Sequence, residues 1–294
     1  PAMIFWLGGR QIGFRTALFT DISGVTNEYS KWLIAEPRPF YVSDAFTPLK
    51  VSNGFGMPSG NAQGIATLMV TISLYAQRKW LWILAAVMIF FTGLARVFYG
   101  VHSPSQVLFG WLIGIAIALV LFKIAEPFLG WFGQRSFAFQ LGFVFLLALL
   151  TTLLGLVIDY VLLQNFVIPD TWVERYNEIA VATDEEDAFS LFNGNDSYAI
   201  GAYMFGLGIA GVLLLRDLIP EIETRIGKAQ NVTIGLGLYY GAGQITGIAV
   251  APLRGTLAFW PYLMIVWALN PLLIYTITPL VAARIMAMIK SEKN

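Results

Sequence analysis

The sequence predicts an all-α membrane protein, a polytopic bundle of transmembrane helices. Hydrophobic residues make up 57% of the 294 residues and charged residues only 12%, and the mean hydropathy is +0.69. A soluble domain carries about twice that share of charge. Apolar runs long enough to cross a bilayer recur along the chain, and such runs predict helical spans rather than a barrel.

About eight spans can be placed in order along the chain. Their approximate limits are 10–33, 59–75, 80–98, 104–122, 137–162, 197–215, 232–250 and 260–286. Residues 34–58 are rich in proline and glycine and predict a loop, and residues 124–136 predict an interfacial segment. The first span contains Asp21, Asn27 and Glu28. Such polar groups belong on a face turned into the bundle, unless this segment is a surface helix.

The basic residues predict the orientation of the bundle. By alternation of the spans, five basic clusters fall on one side, which the positive-inside rule makes cytoplasmic. These clusters are Arg10/Arg15, Arg78/Lys79, Lys123/Arg135, Arg216/Arg225/Lys228 and Arg284/Lys290/Lys293. The segments 31–59 and 101–103 and an acidic loop at about 163–197 are then expected on the non-cytoplasmic side.

Charge and cysteine content argue against several kinds of partner and cofactor. The formal net charge is zero, which gives no support to nucleic-acid binding. The chain has no cysteine, so it has no disulfide framework, thiolate nucleophile or zinc–thiolate site. No His/Asp/Glu cluster has metal-ligand spacing, and we expect neither a metal nor another cofactor.

Three short polar segments interrupt the apolar sequence. The first is Lys31-x6-Arg38-Pro39, the second is Pro58-Ser59-Gly60-Asn61, and the third is Arg96-x5-His102-x3-Gln106. His102 is the only histidine in the chain. Ser59 is a plausible N-cap, so the helix that follows can present amides to an anion. Cations, helix-start amides and an imidazole together suggest the handling of phosphate.

The order and spacing of these segments resemble the signature of the type 2 phosphatidic acid phosphatase (PAP2) superfamily. That signature reads K-x6-RP, PSGH and SR-x5-H-x3-D, and the resemblance covers roughly residues 5–125. Asn61 stands where the family has the histidine of PSGH, Gln106 stands where it has the final aspartate, and Ala95 replaces a serine. We therefore expect a PAP2-like core at 1–130 and additional helices with the acidic loop at 131–294. Proteins of this family usually have one or two helices before this point, so we expect the native N-terminus upstream of Pro1.

The resemblance implies a set of roles. His102 would be the nucleophile that forms a phosphohistidine, Gln106 would orient it, and Asn61 would stand in the place of the group that protonates the leaving group. Phosphate would be bound by Lys31, Arg38, Ser59, Gly60 and Arg96. Arginine suits two-point phosphate contact better than lysine, so Arg38 and Arg96 weigh most. The expected location is a bacterial inner membrane, with the active site facing the periplasm.

The two departures bear on the substrate. Gln106 can accept a hydrogen bond from the imidazole but brings no charge, and Asn61 cannot act as an acid at neutral pH. Loss of a general acid costs about 10² to 10⁴ in rate. A phosphate leaving group, with a second pKa of about 6, needs protonation less than an alkoxide does. The sequence therefore favours a lipid diphosphate, such as a polyprenyl diphosphate, as substrate.

Other functions stay open from the sequence. The chain could be a lipid phosphotransferase, or a catalytically weakened protein that binds or transports phospholipid or isoprenoid phosphates. It could also hydrolyse monoesters with a proton from Glu36, Asp44 or a water. In the C-terminal half, Gly235, Gly237, Gly241, Gly243 and Gly247 favour helix packing over a cofactor site. The acidic loop is expected to be a solvated face, with a divalent-cation site as the alternative.

Overall fold

The chain folds into helices. The computed structural model describes residues 1–163, 166–184, 189–191, 195–250 and 259–291, and these contain no strand. The helices are α1 (Ala2–Gly8), α2 (Arg10–Ile34), α3 (Pro39–Val42), α4 (Gly60–Ala76), α5 (Lys79–Phe98), α6 (Pro104–Gly133), α7 (Phe137–Ile158), α8 (Asp170–Ala182), α9 (Asn195–Leu215), α10 (Arg225–Val250), α11 (Phe259–Leu272) and α12 (Thr278–Ser291). Short π-helical turns, Asp159–Leu163 and Leu273–Ile277, follow α7 and α11.

The predicted all-α class is confirmed, and the chain is an integral membrane protein. All eight predicted spans are helical where the structure describes them. Among the described residues, five helical stretches are long and apolar enough to cross a membrane: Lys79–Phe98, Pro104–Gly133, Phe137–Val161, Ser197–Leu215 and Pro261–Ile289. In the segment predicted to be interfacial, 124–136, α6 continues through Pro127 to Gly133.

The described helices form two compact units. We call one the motif unit, comprising Phe19–Ile124 and Leu154–Gly194, because it contains all three polar segments. The other, which we call the C-terminal unit, comprises Pro1–Leu18, Ala125–Leu153 and Asn195–Asn294. The segment predicted as the acidic loop, about 163–197, lies mainly in the motif unit.

Two glycines bring α6 close to α4 in the motif unit. A Cβ atom at Gly110 would lie 2.6 Å from the carbonyl oxygen of Ser59, and one at Gly114 would lie 2.4 Å from that of Gln63. Residues without a side chain let helix backbones approach this closely. This contact holds the start of α4, where the second polar segment lies, against the first turns of α6, which follow His102.

The inward face of α2 is polar, as the sequence predicts for a face turned into the bundle. Ser23 and Asn27 are buried. Asn27 Nδ2 donates to Gln63 Oε1 over 2.8 Å, and Gln63 Nε2 donates to the carbonyl oxygen of Ser23 over 2.8 Å. Because buried polar groups need such partners, this network joins α2 to α4 and excludes the surface-helix alternative.

The acidic segment contains a helix that packs on the first polar segment. In α8, Tyr176 and Ile179 are buried while Glu174 and Glu178 are exposed. The Trp172 ring stacks on Tyr41 of α3 with centroids 6.0 Å apart. The predicted solvated face is confirmed for these two carboxylates, but they lie on a helix whose other face is buried, not on a loop. Residues 185–188, which carry three of its carboxylates, lie outside the described residues.

Helix packing in the C-terminal unit uses different glycines from those predicted. A Cβ atom at Gly206 in α9 would lie 1.9 Å from the carbonyl oxygen of Ala268 in α11, and one at Gly235 would lie 2.3 Å from the Trp6 ring. The packing role is thus confirmed for Gly235. It stays a prediction for three other glycines of α10, which have no described atom within 4 Å of the corresponding position: Gly237, Gly241 and Gly243. Gly247 lies outside the residues whose side-chain surroundings are described.

Candidate active site

The three polar segments meet at one cavity of the motif unit. The cavity has a volume of about 440 Å³. Its lining includes six residues that the sequence singles out: Lys31, Arg38, Gly60, Asn61, Arg96 and His102. The other two lie directly behind the histidine. Gln106 Oε1 is 3.1 Å from His102 Nδ1, and the amide of Ser59 donates to the carbonyl oxygen of Gln106 over 3.0 Å.

The turn between α5 and α6 presents His102 to this cavity. Gly100 in that turn has φ +72°, and a Cβ atom there would lie 2.9 Å from Cα of Pro48. A side chain at this position would meet both backbone strain and a clash, so the turn requires glycine. Val101 is buried beside it, and His102 itself is only 4% exposed.

The hydrogen bonds of His102 define its tautomer. Nε2 lies 3.1 Å from Arg38 Nη1, and a guanidinium can only donate, so Nε2 is unprotonated and accepts. Nδ1 carries the proton and donates to Gln106 Oε1. Burial, and after it the positive charge of Arg38, lowers the pKa of His102 to about 3. The ring is therefore neutral at physiological pH, with its lone pair on Nε2.

Arg38 is buried and bound only by neutral acceptors. Its Nε donates to Gly54 O over 3.0 Å, Nη1 donates to Val101 O over 3.0 Å, and Nη2 donates to Asn53 O over 2.7 Å. With the contact to His102, four of its five N–H groups are engaged. The two-point contact with phosphate expected for Arg38 is therefore not available in this arrangement. Burial also lowers the pKa of Arg38, because the charged form is desolvated.

The remaining cations of the cavity have more freedom. Arg96 lines it, and its buried Nε has no hydrogen-bond partner among the described residues. Lys31 Nζ lies 3.3 Å from Glu28 Oε2. The charged residues that line the cavity are three cations and one carboxylate, which gives a formal charge of +2 with a neutral histidine. Such a cavity is suited to binding an anion of two or more charges.

The part of the chain that contains this cavity is similar in sequence to known proteins. The model of the PAP2 superfamily matches residues 12–129. This part of the chain is similar to the PAP2 superfamily. The match includes every residue of the predicted site, from Lys31 to Gln106.

Two curated relatives are similar to the same region. An undecaprenyl-diphosphatase of Sulfolobus acidocaldarius is 34% identical over 116 residues, which cover 39% of this chain and 56% of that protein. The undecaprenyl-diphosphatase BcrC of Bacillus subtilis is 26% identical over 128 residues, or 42% of this chain and 65% of that protein. The chain thus spans less than two thirds of the length of these relatives. No solved structure matches it.

The residues at the two departures from the PAP2 signature have different surroundings. Asn61 is exposed and lines the cavity, so its amide can donate to an anion. Gln106 is 1% exposed and lies behind the imidazole. Ser59 is at the N-cap position, as predicted, but its Oγ has no partner among the described residues and its amide is bound to Gln106. Only the amides after it, beginning at Gly60, remain for a ligand.

The carboxylates near the site were only partly anticipated. Glu36 is hydrogen-bonded to Gln106, and Asp44 forms an ion pair with Arg175 at 3.4 Å. Neither of these suggested proton donors lines the cavity, whereas Glu28 does. Its position one helical turn before Lys31 is the sequence signal that could have identified it. The described residues contain no group of three or more His, Cys, Asp or Glu side chains that could hold a metal ion.

Proposed function

We propose that this chain is a membrane lipid phosphatase that removes the terminal phosphate of a polyprenyl diphosphate through a phosphohistidine on His102. The observation that carries the proposal is the arrangement at the imidazole: Nε2 has its lone pair toward Arg38, and His102 lines a cavity together with three cations and one carboxylate. The PAP2 superfamily match and the two undecaprenyl-diphosphatase relatives support the reaction class and the substrate.

In the first step, the terminal phosphoryl group binds between Arg96, Lys31 and the amides at the start of α4. A phosphate oxygen takes over the hydrogen bond that Arg38 Nη1 gives to His102, and this frees the lone pair of Nε2. Nε2 then attacks phosphorus in line, the bond to the bridging oxygen breaks, and a polyprenyl phosphate leaves. Catalysis of this kind rests on positioning and on stabilising the charge of the transferred group.

In the second step, water attacks phosphorus and the N–P bond breaks. Inorganic phosphate forms, the electron pair returns to Nε2, and the imidazole is neutral again. Gln106 Oε1 accepts the Nδ1–H bond throughout, so the ring keeps one orientation and one tautomer. If an alcohol attacks in place of water, the same intermediate gives phosphoryl transfer instead of hydrolysis. The phosphotransferase alternative is therefore tested by supplying an alcohol acceptor in the same assay.

The lack of an acid at position 61 favours the diphosphate over a monoester. Asn61 can donate a hydrogen bond to the substrate but cannot supply a proton, whereas an anhydride releases a phosphate that is stable as an anion. We therefore expect turnover of a polyprenyl diphosphate to exceed that of a lipid monophosphate by about 10² or more. The reverse ranking would contradict this choice of substrate.

We propose that the cavity opens on the non-cytoplasmic face. The basic clusters along the chain support this orientation through the positive-inside rule. Because the chain lacks cysteine, single cysteines can report it directly. Thr47→Cys in the loop before α4 should react with a membrane-impermeant maleimide in intact cells, while Gln134→Cys between α6 and α7 should react only after lysis. The opposite pattern would place the site in the cytoplasm.

The decisive experiment is phosphate release by the purified chain from a panel of lipid diphosphates and monophosphates. His102→Ala removes the nucleophile, and we expect a loss of about 10³-fold or more in release. A ³²P label transferred from the terminal phosphate to the wild-type chain, stable in base and lost in acid, would identify the phosphohistidine. Release that is unaffected by His102→Ala would remove the proposed nucleophile. Binding of the diphosphate without release would indicate the weakened, non-catalytic alternative.

A further inference from the structure

The side-chain amide of Gln106 is bound on both of its faces, which fixes its orientation. Nε2 donates to Glu36 Oε1 over 2.9 Å and to the carbonyl oxygen of Pro37 over 2.9 Å. Oε1 lies 3.1 Å from His102 Nδ1 and accepts from the amide of Ser103 over 3.2 Å. Two acceptors face the NH₂ group and two donors face the oxygen, so a flipped amide would lose all four bonds.

The first and third polar segments meet at this amide, across 70 positions of sequence. Gly56 makes room for it, because a Cβ atom there would lie 2.4 Å from Gln106 Nε2. The amide of Gly56 also donates to the backbone oxygen of Glu36 over 2.8 Å. Gly56, which packs against Gln106, is thus bound to Glu36, which accepts a hydrogen bond from Gln106. Glu36 is half-buried in this arrangement. A carboxylate thus lies one side chain behind the position where the PAP2 signature has its aspartate.

We infer that Glu36 is a positioning residue that acts on His102 through the amide of Gln106. The inference rests on the proposed function, since it assigns a role in that reaction. The carboxylate polarises the amide so that Oε1 becomes a stronger acceptor for Nδ1–H. This stabilises the positive charge that the ring gains when Nε2 bonds to phosphorus. An aspartate at position 106 would place its negative charge directly against the imidazole. Here the charge is on Glu36, and the amide of Gln106 lies between it and the ring.

The geometry argues against a different role for Glu36. It does not line the cavity and lies on the Nδ1 side of the imidazole, whereas the phosphoryl group is attacked from Nε2. A proton donor for the leaving group must reach the cavity, so Glu36 is not placed for that task. A purely structural role is the remaining alternative, and the test below separates the two.

The test moves the charge between two positions. Glu36→Gln removes the carboxylate and should lower kcat for the diphosphate by about ten- to hundredfold with little change in KM, because Glu36 does not line the cavity. Gln106→Glu alone sets two carboxylates against each other and should also lower kcat. The double variant Glu36→Gln/Gln106→Glu restores a single charge, now against the imidazole, and should be more active than Glu36→Gln.

The outcomes are distinct. Rescue in the double variant supports a charge effect, since a structural role of Glu36 is not restored by a change at position 106. A kcat of Glu36→Gln equal to that of the wild type, or a double variant no better than Glu36→Gln, would overturn the inference. Thermal inactivation of each variant identifies changes that only impair folding.

A second measurement does not depend on activity. His102 is the only histidine, so ¹⁵N-labelled histidine gives one assignable ring in NMR spectra of the detergent-solubilised chain. We expect the Nδ1–H tautomer in the wild type, and an upfield move of the Nδ1–H proton in Glu36→Gln as its hydrogen bond weakens. An unchanged Nδ1–H signal would overturn the inference. If the wild type released no phosphate in a His102-dependent way, the proposed function would fail while this spectrum still tested the contact.

Discussion

The two units each contain a cavity lined by basic side chains, but they treat the positive charge differently. In the C-terminal unit, a cavity of about 100 Å³ is lined by Arg10 and Lys228 together with Glu221 and Glu223. Arg10 lies 2.5 Å from Asp217 and 3.5 Å from Glu221. Its charge is thus matched by carboxylates of the chain itself.

The cavity of the motif unit leaves its charge uncompensated. Arg38, the most buried of its cations, is held by three backbone carbonyl oxygens and an imidazole nitrogen, and none of its described hydrogen bonds goes to a carboxylate. Burying a charge without a counter-ion costs free energy, so another interaction must offset that cost. An anionic ligand supplies one. The pairing of basic residues, more than their number, distinguishes the proposed anion site from the ion-pair cluster of the C-terminal unit.

The largest difference between the cavities is expected when arginine is exchanged for lysine in both. Arg38→Lys keeps the charge but cannot hold three carbonyl oxygens and the imidazole at once. We expect phosphate release to fall by about 10² to 10³. Arg10→Lys keeps a surface ion pair in the other cavity, and we expect release to stay at the wild-type level. Equal losses in the two variants would show that the distinction between the cavities carries no functional meaning.

The next largest effect is expected at Gly56, which packs against the amide behind His102. Gly56→Ala places a methyl group 2.4 Å from Gln106 Nε2, so the amide must move and His102 loses its fixed acceptor. We expect about a ten- to hundredfold loss of phosphate release, measured as kcat on the diphosphate. Gly237→Ala is the matched control, because no described atom lies within 4 Å of its Cβ position. A loss in Gly237→Ala as large as that in Gly56→Ala would contradict this explanation.

These glycines also show where sequence reasoning succeeds and where it stops. The order and spacing of the three polar segments, read through their resemblance to the PAP2 signature, predict that Lys31, Arg38, Asn61, Arg96 and His102 come together, and these five residues do line one cavity. The same GxxxG spacing occurs in α6 and α10, yet Gly110 and Gly114 face α4, while Gly237 and Gly241 have no described atom within 4 Å. Spacing sets which glycines share a helix face, but only the tertiary structure decides which face has a partner.

The contacts around Gln106 and Arg38 that no local pattern predicts join residues far apart in the chain. The bond from Gln106 to Glu36 depends on how residues 34–58 fold back over the start of α6, and no local pattern predicts it. The same is true of Ser190, whose amide donates to Asn53 Oδ1 over 3.0 Å and whose carbonyl oxygen accepts from the amide of Gly54 over 2.9 Å. Asn53 and Gly54 in turn hold Arg38. A segment that composition marks only as acidic therefore supports the loop that binds the central arginine.

The lowered pKa of His102 makes the stability of the folded chain depend on pH. The folded ring has a pKa of about 3, lowered first by burial and then by Arg38. The unfolded chain has a histidine pKa of about 6.5. As pH falls from about 6.5 toward about 3, the unfolded state takes up a proton that the folded ring does not, so the folded state loses stability over that window. Above about pH 6.5 this contribution is constant.

Two measurements check this pH dependence. The single ¹⁵N-labelled ring should stay neutral down to about pH 4 in the folded chain, far below an ordinary histidine. Thermal inactivation should become faster between pH 7 and pH 5, and this acceleration should be smaller in His102→Asn, which lacks the titrating ring. A ring that titrates near pH 6.5 in the wild type would show that its burial and the charge of Arg38 do not act on it as described.

The smallest expected effect concerns the one carboxylate in the motif cavity. Glu28 is paired with Lys31 at 3.3 Å and has a side-chain exposure of 32%. An anion bound beside Lys31 must compete with it, so Glu28→Gln should strengthen inhibition by inorganic phosphate by about two- to fivefold, the range of a partly exposed ion pair. The change is read as a lower inhibition constant against the diphosphate substrate. Weaker inhibition by phosphate in Glu28→Gln would mean that the carboxylate helps to hold the anion.

The same variant also tests whether Glu28 donates a proton. A loss of turnover much larger for a monophosphate than for a diphosphate would identify Glu28 as the proton donor that position 61 lacks, because only the poorer leaving group depends on that proton.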